Sequence, residues 1–354
     1  MQTQPSSEEL LFGLALAAAE NIGIVRFHEL RAKFGSTEAA VQRTFPEAGK
    51  QRRLLDGARA TLAAATNCGA TIIASHEARY PEILRTLRDP PPHIFTLGNP
   101  ALFERAAIAI VGTRSATAYG LRTTRNIAAA LASAGVVVVS GMARGIDAAA
   151  HEAALDVGGA TIAVLGTGAD VPYPAKNRAL HARIVRHGLV LSELPCGTRA
   201  HAGSFPRRNR LIAALARAVI VTEAPVKSGA LITANVANDI GRDVGMVPGN
   251  IDSPASEGSN RLLRDGATPI LSLADALTLG GVSADAVAAV RPNAAELTED
   301  AQLLWRALSA SGPLSADALA RAGGLEARRA GPALAALEIA GWVEIDHAGV
   351  IFAK

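Results

Sequence analysis

Aromatic residues are scarce: two Trp, three Tyr and eight Phe make up 4% of the 354-residue chain. A nucleic-acid-binding mode built on rows of stacked bases would have few rings to use, which makes backbone phosphates the readier handle. Cysteine is scarcer still. Cys68 and Cys196 lie far apart in sequence and form no C-x-x-C pair, a spacing that suits a reducing compartment and two inert thiols rather than a disulfide. No apolar run reaches 18 residues, and no basic segment leads into an apolar stretch with a cleavage site. Neither membrane spanning nor secretion is supported, and a cytoplasmic protein is expected.

Several catalytic signatures are missing as well. There is no G-x-x-x-x-G-K-[ST] run for a P-loop and no G-x-S-x-G elbow for a hydrolase. A nicotinamide dehydrogenase would need G-x-G-x-x-G after its first strand and an acid at the end of the second; here the second strand ends in Ser140 and Gly141, and Gly166-x-Gly168 lacks the third glycine. His151-Glu152 resembles the start of a zinc helix, but Leu155 stands where the second histidine of H-E-x-x-H belongs. His151 is therefore expected on a helix surface. No catalytic residue, metal or cofactor is expected.

What is present is an ordinary globular balance, 49% hydrophobic against 19% charged, in a chain long enough for two or three domains. The net charge of +3 is unevenly spread. Residues 1–105 carry 12 Lys+Arg and 11 Asp+Glu, residues 106–270 carry 17 and 11, and residues 271–354 carry 6 and 10. A polyanion should prefer the middle, since affinity follows local charge.

From Ala106 onward short β-branched runs alternate with helix-like stretches. Strands are expected at Ala107–Val111, Val136–Ser140, Thr161–Leu165, Leu189–Leu194, Ala218–Thr222, Val244–Val247 and Pro269–Leu271. Leu121–Ala134, Asp147–Leu155 and Ala230–Ile240 read as helices between them, and Thr71–Ala74 and Ile94–Leu97 as two further strands upstream. The pattern is that of an α/β fold: an extended Rossmann-like, doubly wound parallel sheet. Upstream, Glu8–Glu20 and Arg26–Phe34 suggest a small helical module over residues 1–66, of the SAM or helix-hairpin-helix kind. The Rossmann-like domain would span 67–282. An Ala-rich linker with Arg291 and Pro292 would cover 283–296. Helices at Asp300–Ala310, Ser315–Ala322 and Arg328–Ala340, then strands at Trp342–Ile345 and Gly349–Phe352, would make a C-terminal winged helix over 297–354.

Chemistry-bearing residues gather at the carboxyl ends of the strands, where doubly wound sheets bind ligands. The first loop reads Gly112-Thr113-Arg114 and the second Ser140-Gly141-Met142-Ala143-Arg144-Gly145, with Asp147 as a candidate N-cap. The third carries Gly168, then Tyr173-Pro174-Ala175-Lys176-Asn177. Phe205-Pro206-Arg207-Arg208-Asn209-Arg210 places three arginines in four positions at the start of a helix, where the dipole disfavours cations and an anionic ligand would repair the repulsion. Ser228-Gly229, following Lys227, opens another helix and is either an anion site or an ordinary serine cap. Glu193 and Glu223, each at a strand end, are not paired carboxylates and are expected to hold loop amides or position arginines.

In order and spacing, the succession VGTR, SGMARGID, GTGAD with YPAKN, SELP, FPRRNRLIA, TEAPVKSGALITA and VPG at 247–249 resembles the motif series of the DprA/Smf family of bacterial DNA-processing proteins, over most of residues 70–280. The resemblance implies a non-enzymatic protein that binds single-stranded DNA, protects incoming strands during natural transformation, loads the RecA recombinase onto them, and forms a homodimer through the Rossmann-like domain. It also implies that Arg114, Lys176, Arg207, Arg208 and Arg210 clamp phosphates. Three departures stand out. Thr113 replaces the more usual serine of the first loop, keeping a hydroxyl. Asn21-Ile22-Gly23-Ile24 lacks the Gly-x-Gly of a DNA-binding hairpin. Gly331-Pro332 falls inside the third helix of the winged helix, where proline should bend or restart it; with the acidic balance of residues 271–354, this points that module to a structural or protein-contact role. A transcription factor would rest on the winged helix alone. The main alternative is a Rossmann-like phosphoribohydrolase, which shows P-G-G-x-G-T-x-x-E; here Lys227 to Thr233 fills that stretch and Val236 stands in the glutamate position.

Overall fold

A computed structural model describes residues 7–201, 203–283, 297–339, 342–346 and 349–353. The chain divides into two compact units, 1–282 and 283–354. Beyond Ser283, the expected linker lies outside the described residues. Among those described, no helix is long and apolar enough to cross a membrane.

The first unit opens with four helices, α1 (Ser7–Ala17), α2 (Ile24–Phe34), α3 (Thr37–Thr44) and α4 (Ala48–Cys68), where the sequence suggested two. Ser36 caps α3 by accepting from the Ala39 amide at 3.0 Å. The last of the four runs past residue 66, where the first domain was expected to end. β1 (Thr71–Ala74), the short α5 (Glu82–Arg85) and β2 (His93–Gly98) follow. Then come β3 (Ala107–Val111), α6 (Ala118–Ser133), β4 (Val137–Ser140), α7 (Ile146–Asp156), β5 (Thr161–Leu165), α8 (Arg178–His187) and β6 (Leu189–Ser192). The unit closes with α9 (Ser204–Leu215), β7 (Ala218–Val221), α10 (Gly229–Asp239), β8 (Asp243–Met246), α11 (Glu257–Arg264), β9 (Thr268–Pro269) and α12 (Leu273–Leu279).

One nine-stranded sheet has the order β1-β2-β6-β5-β4-β3-β7-β8-β9. From β6 to β9 every pairing is parallel, whereas β1 with β2 and β2 with β6 are antiparallel. The parallel strands are unbroken apolar runs such as AIAIV and AVIV because both faces are covered. One face packs on α9 and α10 through Val139, Leu211, Val219 and Ala234. The other, toward β2 and β6, shares a core with the N-terminal helices through Leu16, Phe27, Val41, Phe95 and Leu165. The chain moves outward from β3 to β6 and then returns to place β7 on the opposite side of β3. Loops leaving β3 and β7 therefore diverge and open a crevice.

Two histidines are sealed into this core. His93 on β2 packs edge-on against Phe27, with Gly13 of α1 leaving no room for a Cβ beside its Nε2. His151 on α7 is fully buried, not on the helix surface as its sequence context suggested. The Thr161 hydroxyl donates to the Val138 carbonyl at 2.6 Å, so its oxygen accepts from His151 Nδ1–H, also at 2.6 Å. Burial lowers both imidazoles to about 3.

The second unit is a small three-helix domain with a wing. α13 (Glu299–Ser311), β10 (Leu314–Ser315), α14 (Ala316–Ala322), α15 (Ala327–Ile339), β11 (Val343–Ile345) and β12 (Val350–Ala353) enclose Leu304, Leu308, Leu337, Trp342 and Ile351. The three strands order as β10-β12-β11. α15 is one element through Pro332, which does not restart it.

Because His93 and His151 are neutral when folded and titrate near 6.5 when unfolded, their depressed pKa values contribute stability above about pH 6.5 that is lost as pH falls toward 3. Urea unfolding between pH 7 and pH 4 should show this decline, and His151→Leu should flatten it. An unchanged slope in the variant would contradict the assignment.

Candidate nucleic-acid interface

The crevice at the strand ends is lined by backbone first. Gly112 passes so close to α7 and β7 that a Cβ would meet Ile146 Cγ1 at 2.5 Å and the Glu223 carbonyl at 2.8 Å. The Thr113 amide donates to that same carbonyl at 2.7 Å, and its hydroxyl accepts from Ser115 N at 3.2 Å. Glu223 is buried and holds the start of α6: its carboxylate accepts from the Thr117 amide at 2.8 Å and the Thr117 hydroxyl at 2.7 Å. Thr117 in turn caps the helix.

The loop after β4 is fixed from beneath. Asp147 is not the N-cap of α7; that place belongs to Gly145, whose left-handed φ of 78° brings it against the Thr113 carbonyl. The Asp147 carboxylate reaches back to accept from the amides of Gly141 at 3.2 Å and Ala143 at 3.4 Å. Met142 adopts φ 56°, and the buried Asn177 amide donates to its carbonyl at 2.9 Å. Ser140 is fully buried, donates to the Ile110 carbonyl at 2.6 Å, and does not reach the crevice.

Helix α9 separates the three arginines that sequence proximity grouped. At about 100° per residue, positions 207 and 210 share one side and 208 faces another. Arg208 is buried under the β4 loop and donates through Nη1 to the Gly141 carbonyl at 2.9 Å. A Cβ on Gly141 would meet Arg208 Nη2 at 2.4 Å. Burial lowers the guanidinium to about 10, with Asp147 opposing the shift, so it stays charged at neutral pH. Burial likewise raises Asp147, against the pull of Arg208 and the two loop amides. Arg208 Nε is buried and has no hydrogen-bond partner among the described residues. Arg210 instead pairs with Glu193 at 2.5 Å and Asp89 at 3.2 Å, and Arg207 with Glu193 at 3.3 Å. Neither lines the crevice, and Glu193 holds both.

Two adjoining cavities of about 350 and 340 Å³ share Arg114, Ala143, Phe205 and Arg208. The first adds Gly112, Thr113, Asn209, Lys227, Ser228 and Gly229; the second adds Gly141, Arg144, Tyr173 and Lys176. Ser228 is also the N-cap of α10, accepting from Ala230 N at 3.2 Å, and Asn209 donates to the Gly229 carbonyl at 3.3 Å. Gly168 and Asn177 line neither cavity. Arg114, Arg144, Lys176 and Lys227 are exposed, and among the described residues none of them forms an ion pair. Among the described residues, the only carboxylate lining either cavity is Asp147. Sequence reasoning left out the aromatic pair beside these cations. Tyr173 and Phe205 have ring centroids 5.1 Å apart, and the Arg114 guanidinium lies 5.6 Å from the Phe205 centroid. Their place within the YPAKN and FPRRNR runs was the available signal.

The model of the family described as DNA recombination-mediator protein A matches residues 71–279, and that of the DprA winged helix domain matches residues 275–349. The chain is 48% identical over 197 residues, 54% of its length, to Protein Smf of Synechocystis sp., and the match spans half the length of that relative. It is similar to the X-ray structure of DNA processing protein A from Streptococcus pneumoniae at 33% identity and TM-score 0.66, over 78% of this chain and 98% of that one. It is also similar, at 33% identity and TM-score 0.55 over 59% and 95% of the two chains, to DNA processing protein A from Helicobacter pylori, whose single-stranded DNA binding mode that structure addresses.

The division of α9 yields a stability contrast. Arg210→Ala leaves the buried Glu193 with only the half-exposed Arg207 and should cost about 3–5 kcal/mol in urea unfolding. Arg207→Ala removes the more exposed partner and should cost under about 1 kcal/mol. Equal losses would contradict the assignment.

Proposed function

This chain belongs to the DNA recombination-mediator protein A family, the DprA/Smf family, and on that premise we propose that it binds single-stranded DNA by its phosphates at the twin cavity of the Rossmann-like unit. Arg114, Arg144, Lys176 and Lys227 form the rim, with the buried Arg208 beneath it. The observation that carries this reading is a set of exposed cations around two cavities; among the described residues the cations form no ion pair, and the only lining carboxylate, Asp147, accepts from loop amides. Such a surface attracts phosphates, and contacts to the phosphate backbone carry no sequence information, so it should bind strands of any sequence.

Its role is that of a binding and loading protein rather than an enzyme, with no cofactor. It acts in the cytoplasm, protects incoming single strands during natural transformation and passes them to RecA, as a homodimer through the Rossmann-like domain. The relatives' names as DNA-processing proteins and the Helicobacter pylori protein's single-stranded DNA binding support this reading. The phosphoribohydrolase alternative is disfavoured at residue level. Val236, in the position of that family's catalytic glutamate, packs against the apolar core.

Fluorescence anisotropy of labelled single-stranded oligonucleotides across a salt series tests the proposal. The wild type should bind with a log–log slope of about −0.7 per phosphate contacted. Arg114→Ala and Lys176→Ala should each weaken binding and reduce the slope by about that amount. No oligonucleotide binding, with nucleoside monophosphate consumed instead, would overturn it.

A further inference from the structure

The two cysteines, 128 residues apart in sequence, meet in the fold. Cys68 is the last residue of α4 and Cys196 lies in the turn after β6, with their sulfurs 3.2 Å apart. The Cys68 thiol also lies 3.3 Å from the Ala65 carbonyl. Asp170, from the loop after β5, reaches the same point, and the ligand atoms of all three residues lie within 4.8 Å of one another.

Hydrogen bonds tie together the loops around them. Both Asp170 oxygens accept from the Gly197 amide, at 2.8 and 3.0 Å. Gly168 N donates to the Thr198 carbonyl at 2.9 Å. A Cβ at Gly168 would meet Asp170 Oδ1 and the Pro195 carbonyl, each at 2.7 Å. Gly168 thus serves the contact between the two loops, which accounts for its absence from the cavities above.

Two thiols and a carboxylate share this spot, and among the described residues Asp170 pairs with no cation. A divalent cation is bound by the deprotonated form of such thiols. Sulfur with one oxygen is a zinc-class donor set. At a Zn–S length of about 2.3 Å, tetrahedral sulfurs sit about 3.7 Å apart, within about 0.5 Å of the present separation.

We propose that Cys68, Cys196 and Asp170 form a zinc-class divalent-cation site with an open fourth position, pinning the end of α4 to the loops after β5 and β6. Binding releases two thiol protons to solvent and transfers no electrons. The three ligands come from separate segments, so no C-x-x-C or H-E-x-x-H spacing announces them.

The test is titration of the full chain, reduced with a phosphine and stripped with a chelator, first with Co²⁺ and then with Zn²⁺. The expected result is one Co²⁺ per chain, with near-ultraviolet thiolate-to-metal absorption that Zn²⁺ abolishes. Cys68→Ser and Cys196→Ser should each lose the band, and Asp170→Asn should keep it with at least tenfold weaker binding. A wild type that takes up no stoichiometric metal, or a band that survives in Cys68→Ser, would overturn the proposal. So would a thiol count showing that the pair closes to a disulfide while the reduced chain binds no metal.

Discussion

Everything at the strand ends depends on a buried cation. Arg208 lies beneath the β4 loop, and its guanidinium occupies the space a side chain at Gly141 would need. A charge in that position is tolerable only with compensation, which the Gly141 carbonyl and Asp147 supply. Asp147 in turn accepts from the loop's own amides. The loop cannot shift without exposing a mismatch among these groups, so α7, α9 and the β4 loop behave as one piece. Glu223 does the same for the β3 loop and the start of α6. The cations above are therefore presented on fixed backbone, and the one carboxylate beside them among the described residues, Asp147, is held by the loop amides and Arg208.

Much of the sheet was legible because strands covered on both faces must be continuous apolar runs, and such runs were found at the right places from Ala107 to Met246. Orientation was less accessible. β2 pairs with β6 nearly a hundred residues away, and nothing within either strand states that the pairing is antiparallel. The helices α3 and α4 went unread for a different reason. α4 buries only Ala58 and Ala65 fully, so it carries almost no large apolar periodicity. Pro332 shows the reverse error, because one lost hydrogen bond near the start of a helix is outweighed by the packing of Ala330, Ala333 and Leu337.

At the site, loops of small residues and isolated cations were readable one by one, since doubly wound sheets put ligands at strand ends. The arginine run reads as a unit in sequence, but adjacency in sequence is not adjacency on a helix; the 3.6-residue period separates Arg208 from Arg207 and Arg210. Glu193 and Glu223 were correctly expected to hold arginines and amides. The burial of His151 and the meeting of Cys68 with Cys196 were not legible because their environments are made by distant segments. Thr161 hydrogen-bonds the first, and the end of α4 against the β6 loop brings the second together.

The most direct measurement of the central claim is the position of phosphates in a crystal structure of the chain with an oligothymidylate. The account predicts consecutive phosphates beside Arg114 and Lys176 over the twin cavity, with none held by Arg210. Phosphates seated on the Arg207 and Arg210 side of α9, with the twin cavity free of DNA, would contradict it.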